Sequence, residues 1–207
     1  MKRNMRRTLG LALLAGLVFP AYGADARLQA IQADPAAVQA AVEAGRKASF
    51  FCANCHGDNG VSRLPEVPNL AGQNPAYLLE QIRKFGSGQR KDEFMQGLIK
   101  VLKDEEKIQI ALFYAGQQPT PGQQEAAPVA AGRQVYVKLC ARCHGDQARG
   151  NETIPRLAGQ HPVYLNRSIT RYRDKTGERL DPQMSSAVAP LKNEDIKAVA
   201  AYLNTLP

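Results

Sequence analysis

Two seven-residue stretches, Cys52-Ala53-Asn54-Cys55-His56-Gly57-Asp58 and Cys140-Ala141-Arg142-Cys143-His144-Gly145-Asp146, stand 88 positions apart and constrain any fold of this 207-residue chain. The register continues beyond them. Residues 70–78 (LAGQNPAYL) match 157–165 (LAGQHPVYL) at an offset of 87, and Met95 matches Met184 at 89. Leu102-Lys103-Asp104-Glu105 likewise matches Leu191-Lys192-Asn193-Glu194 at 89. An offset that drifts by one residue indicates a duplicated domain, since a solenoid would repeat with a shorter period and in more copies. Residues 116–131 (GQQPTPGQQEAAPVAA) read as the linker, which leaves 24–115 and 132–207 as the two copies.

Each copy reads as helical, so the expected class is all-α. Asp34 before Pro35 gives a helix cap followed by proline at the first helical position, and Val38, Ala41, Val42 and Gly45 then recur at helical spacing. Asn74-Pro75 repeats the signal, with Leu78, Ile82 and Phe85 on one face and Gly86 as a stop. Ile108, Ala111, Leu112 and Ala115 mark a last helix, mirrored by Ile196, Val199, Ala200 and Leu203. No alternating strand pattern of useful length occurs.

Cys-x-x-Cys-His is the attachment signature of c-type haem. One helical turn places two thiols to form thioethers with the haem vinyl groups, and the adjacent imidazole projects toward the iron. Cys52, Cys55 and His56 form one such set, and Cys140, Cys143 and His144 the other. A thioredoxin-like motif would need a βαβ setting and no histidine. Zinc would need a fourth ligand near each set, and a plain disulfide explains neither histidine. Two covalently bound haem c groups are therefore expected. Met95 lies 39 residues after His56 and Met184 lies 40 after His144, which nominates both as opposite axial ligands that raise the potential. The iron would then sit between His56 and Met95 in one copy, and between His144 and Met184 in the other. Pro68 and Pro155 stand at matching positions, and their carbonyls are candidates to accept the second N–H of each histidine. His161, the remaining histidine, replaces Asn74 of the first copy and reads as a capping or surface residue.

Lys2, Arg3, Arg6 and Arg7 precede an apolar stretch from Leu9 to Phe19 and then small residues. That order describes an export signal over residues 1–23, with cuts after Gly23, Ala24 or Ala26 all compatible. The expected location is the periplasm. The formal charge of +8 shrinks on removal of this segment; Lys and Arg balance Asp and Glu over 24–115 and leave +4 over 116–207. Each haem adds two propionates, so the halves carry about −2 and +2, a dipole rather than a nucleic-acid-binding surface. Only 6% of residues are aromatic and none is tryptophan, so a group other than protein is expected to fill the core.

On both Cys-x-x-Cys-His motifs, the segment 68–73 (PNLAGQ) with its partial copy, residues 91–95 (KDEFM), residues 181–184 (DPQM) and the two terminal helices, the chain resembles the dihaem class I c-type cytochromes of the cytochrome c4 family. The resemblance implies two tandem cytochrome c folds joined face to face, each wrapped around a covalently attached haem with histidine and methionine ligands. It further implies that Gly45 meets Phe113, and Gly132 meets Tyr202, where the first and last helices cross. Ser49 in one copy against Tyr136 in the other departs from strict repetition. The implied role is electron transfer by a monomer from a quinol-oxidising complex or other donor toward a terminal cytochrome c oxidase, with peripheral membrane association. Two alternatives are a cytochrome subunit of an enzyme complex, such as a sulfide-oxidising flavocytochrome, and a dihaem catalyst, peroxidase or thiosulfate dehydrogenase.

Overall fold

The computed structural model describes residues 23–122 and 126–207. The export signal expected over 1–23 lies outside the described residues apart from Gly23. Eleven helices are present among the described residues, with no strand, only an isolated antiparallel bridge between Arg90 and Arg179. The first half contains α1 (Gly23–Gln32), α2 (Pro35–Ala48), α3 (Phe50–His56), α4 (Pro75–Ser87), α5 (Glu93–Lys100) and α6 (Asp104–Ala115). The second contains α7 (Ala126–Leu139), α8 (Ala141–His144), α9 (Pro162–Asp174), α10 (Pro182–Val188) and α11 (Asn193–Thr205). Helix α1 had no sequence signal of its own, yet Leu28 is buried in the first core. Helix α7 begins within the stretch read as linker, which shortens the connection between the copies.

Local chemistry sets several boundaries. The Asp34 carboxylate accepts from Ala36 N at 2.9 Å, with Pro35 opening α2. Ser49 then breaks the path into α3, so the helix leading to the first motif is kinked rather than continuous. Gly86 stays helical; α4 stops at Gly88, whose φ of 77° is the left-handed conformation glycine tolerates. Asn74 and His161 both stand at helix N-caps, but neither side chain caps, and both bond elsewhere as described below.

In each half two helices cross at a glycine, α2 with α6 in the first and α7 with α11 in the second. A Cβ on Gly45 would lie 2.1 Å from Gln109 O and 2.9 Å from Phe113 Cβ. On Gly132 it would lie 2.0 Å from Ala198 O and 2.8 Å from Tyr202 Cβ. The two expected pairs are thus in place, and the nearest obstacle is backbone, which cannot rotate away. Gly45→Ala is expected to cost about 2 kcal/mol of holoprotein stability by forcing α2 from α6. A urea midpoint equal to that of the parent protein would show that the crossing is loose.

The crossings fix the register of the terminal helices. Gly72 N donates to Tyr114 O and Gly159 N to Leu203 O, so Tyr114 and Leu203 are equivalent positions. This explains the Ser49/Tyr136 difference. Tyr136 is fully buried and donates its hydroxyl to Gly145 O, near Cys140 and Asp146. In the first half Tyr114, also fully buried, comes from the other helix and lies near Ser49, Cys52 and Asp58, its hydroxyl without a hydrogen-bond partner among the described residues. Each copy therefore holds one buried tyrosine beside its first cysteine, supplied by opposite helices of the crossing pair.

Candidate haem sites

The two motifs end their helices with a buried histidine: His56 closes α3 and His144 closes α8. Gly57 and Gly145, with φ of 79° and 76°, turn the chain sharply after each. His56 Nδ1 lies 2.9 Å from Pro68 O and His144 Nδ1 lies 3.0 Å from Pro155 O. A carbonyl only accepts, so Nδ1 carries the proton and Nε2 keeps its lone pair, the tautomer suited to binding a metal. Burial pushes both imidazoles below their usual pKa, against the opposing pull of the proline carbonyls. Both are held neutral.

None of the four cysteines is in a disulfide. Burial raises the pKa of Cys52 and pushes that of Cys140 up to about 11. Among the described residues no three His, Cys, Asp or Glu side chains converge as a metal site, so the zinc alternative has no ligand set there.

The methionines are positioned by matching caps. Asp92 Oδ1 accepts from Met95 N, and Asp181 Oδ1 from Met184 N, each at 3.0 Å. The side-chain oxygen satisfies a donor that the first helical turn leaves open, fixing each methionine in the opening turn of α5 or α10. Both methionines line the same continuous cavity of about 520 Å³ as Cys52, Cys55, His56, Cys140, Cys143 and His144. Pro68 and Pro155 line it too, so every expected site residue borders one space shared by the two halves.

The halves meet across a reciprocal clasp that the sequence did not reveal. Gln73 Oε1 accepts from Arg156 N at 2.8 Å and Gln73 Nε2 donates to Arg156 O at 2.9 Å. Gln160, the equivalent of Gln73, does the same to Asn69, the equivalent of Arg156, at 2.8 and 3.0 Å. The side chains expected to cap also cross over. His161 Nε2 donates to Ser62 O at 2.9 Å, and Asn74 Nδ2 donates to Ile154 O at 2.9 Å. His161 is thus an interface residue rather than a cap or a surface group.

Arginines and tyrosines from both halves meet at the same junction. Arg179, only 7% exposed, donates Nη1 to Tyr164 Oη at 2.9 Å and to Ser168 Oγ at 3.0 Å, and Nη2 to Tyr77 Oη at 3.3 Å. Arg90 Nη2 donates to the same Tyr164 oxygen at 3.2 Å. Burial alone would push the Tyr164 hydroxyl up, but Arg179 and Arg90 overcome it and pull its pKa down. A buried cluster of this sign favours an anionic neighbour.

Haem c fits this cavity. The walls are largely apolar, with Leu78, Phe85, Ile99, Leu165, Val188 and Leu203 among them. The junction is cationic, and Arg156 Nε, Arg156 Nη2 and Arg179 Nε are buried without a hydrogen-bond partner. A flat apolar ring bearing carboxylates satisfies both features. The Cys-x-x-Cys-His helices are where such a ring would be attached.

Comparisons with known proteins agree. Residues 129–207 match the family model for cytochrome c. Cytochrome c4 of Azotobacter vinelandii is 33% identical over 185 residues, covering 79% of this chain and 88% of that protein. A thiosulfate dehydrogenase electron acceptor of Stutzerimonas stutzeri is 30% identical over 202 residues, covering 89% of this chain and 93% of that protein. The crystal structure of reduced recombinant cytochrome c4 from Pseudomonas stutzeri superposes with a TM-score of 0.75 at 30% identity, covering 80% of this chain and 98% of that one. With a shared all-α fold, a duplicated attachment motif and a third of the aligned residues in common with such a relative, this chain belongs to the cytochrome c4 family and carries two covalently bound haem c groups.

Proposed function

We propose that this dihaem electron-transfer cytochrome works in the periplasm, taking electrons from a quinol-oxidising complex or other donor and delivering them toward a terminal cytochrome c oxidase. The supporting observation is that both attachment motifs and both methionine helices border one cavity, which would keep two haems bound there adjacent. When bound, each haem supplies one-electron Fe(III)/Fe(II) cycling.

The residues of this chain hold the centres. Cys52, Cys55, Cys140 and Cys143 provide the attachments. His56 and His144, kept neutral and oriented by Pro68 and Pro155, would bind the irons through Nε2, and Met95 and Met184 would bind them through sulfur. With a histidine and a methionine both bound to each iron, no position would be left for a substrate, which would favour a carrier over a catalyst. The Gln73 and Gln160 clasp holds the halves in fixed register, so little reorganisation accompanies transfer. The periplasmic reading rests on the basic and apolar order of residues 1–23. No helix among the described residues is long and apolar enough to cross a membrane.

A second reading is favoured by the relative named as a thiosulfate dehydrogenase electron acceptor: the donor is a sulfur-oxidising dehydrogenase rather than a quinol-oxidising complex. Rapid mixing of the oxidised protein with each class of donor, and of the reduced protein with a cytochrome c oxidase, distinguishes these. Fast reduction by one donor and fast oxidation by the oxidase are expected, with neither haem binding carbon monoxide. Carbon monoxide binding to the unmodified protein, with turnover of a small substrate, would make it a catalyst instead.

A further inference from the structure

The two copies differ at one position of the clasp, and the difference is chemical. Asn69 spends its side chain within the interface: Oδ1 accepts from Ser62 N and Nδ2 donates to Gly159 O, each at 2.9 Å. Arg156, its equivalent, has its backbone held by Gln73 in the same way, but its side chain does nothing comparable. Nε and Nη2 are both buried and, among the described residues, both without a hydrogen-bond partner. These nitrogens lie on one edge of the guanidinium, the edge that presents two parallel N–H groups to a carboxylate. Burial and the neighbouring Arg149 both press against the charge, and no carboxylate among the described residues pairs with it. Such a group is costly to keep unless something anionic enters.

Arg156 lines the shared cavity, one residue after the carbonyl that orients His144. The anions that a bound haem would bring to this cavity are its propionates. We propose that Arg156 clamps a propionate carboxylate through its Nε and Nη2 edge, and that this contact, absent from the first copy, sets the two haem potentials apart. The inference rests on the presence of the haems and not on the identity of donor or acceptor. Its physical basis is charge: an unneutralised propionate stabilises Fe(III), and a guanidinium on that carboxylate removes the stabilisation and raises the potential of that haem.

The test uses the holoprotein with Arg156→Gln and Arg156→Lys, in reductive titrations that follow the two haems separately. Arg156→Gln is expected to lower the equilibrium constant for reducing one haem about tenfold, which is 59 mV for one electron, with the other haem within about twofold. Arg156→Lys keeps the charge without the fork and is expected to stay within about threefold of the parent. Unchanged iron–methionine absorption in both variants would show that the ligands are intact. Equal shifts at both haems, no shift above about twofold, or a lysine variant matching glutamine would each overturn the proposal. Should the glutamine variant fail to assemble, the lysine variant still decides: a tenfold loss there refutes the charge effect, and near-parental potentials support it.

Discussion

Met95→Ala lowers the potential of the first haem by on the order of 0.1 V or more, within the roughly 0.8 V over which axial ligands set haem potentials. The same change at Met184 acts on the second haem. Thioether sulfur favours the reduced iron, and alanine leaves the position to water, which does not. Each variant is also expected to bind cyanide or carbon monoxide at one haem, and the parent protein at neither. Asp92 and Asp181 give the prediction its structural basis, since each caps its helix through the methionine N–H and fixes where the side chain begins. A Met95→Ala protein with parental potentials and no added ligand binding would remove Met95 from the ligand set. Titrations of the two variants should be mirror images, one haem disturbed in each.

The exchanged tyrosines predict strong coupling between Ser49 and Tyr114. Tyr114→Leu alone gives the first half the residue that the second has at Leu203, but leaves the phenol volume empty, at a cost of about 3 kcal/mol. Ser49→Tyr alone drives a second ring into space that Tyr114 occupies; Ser49 is only 3% exposed, and the cost is about 3 kcal/mol. The double change reproduces the arrangement of Tyr136 and Leu203. It is expected to recover about 3 kcal/mol relative to the sum of the single changes, at the upper end of couplings between contacting residues. Urea unfolding of the four holoproteins measures the cycle. Additive losses would mean that the two tyrosines do not fill equivalent space.

Local chemistry and repetition were legible in the sequence. The two motifs, the paired methionines and the prolines that meet His56 and His144 could be found because each acts within about forty residues and occurs twice. The glycine crossings followed from the family resemblance, and the close approach of Gly45 to Gln109 O gives the reason. The contacts between the halves were not legible. Asn74 and His161 stand before prolines in cap positions, and local rules assign them to capping; their partners are carbonyls 80 and 99 residues away. The clasp residues Gln73 and Gln160 could be seen to repeat, but repetition alone does not say that each reaches into the other copy. The tyrosine exchange was visible only as an anomaly at Ser49, because its compensation lies on another helix. Helix α1 lacked a signal because Leu28 is its one fully buried side chain among the described residues.

The reciprocal bonds of Gln73 and Gln160 have the self-complementary form of an isologous two-fold dimer, in which one patch serves both sides. In a dimer of identical subunits any substitution in that patch appears twice. A useful arginine on one side would be matched by a second guanidinium opposite, at double the electrostatic cost. Joining the copies in one chain lifts that restriction and makes association intramolecular, independent of concentration. Asn69 can then spend its amide closing the seam while Arg156, at the same point of the other half, is left to the cavity. Within one chain the contact is directional while the paired glutamine bonds stay the same on both sides.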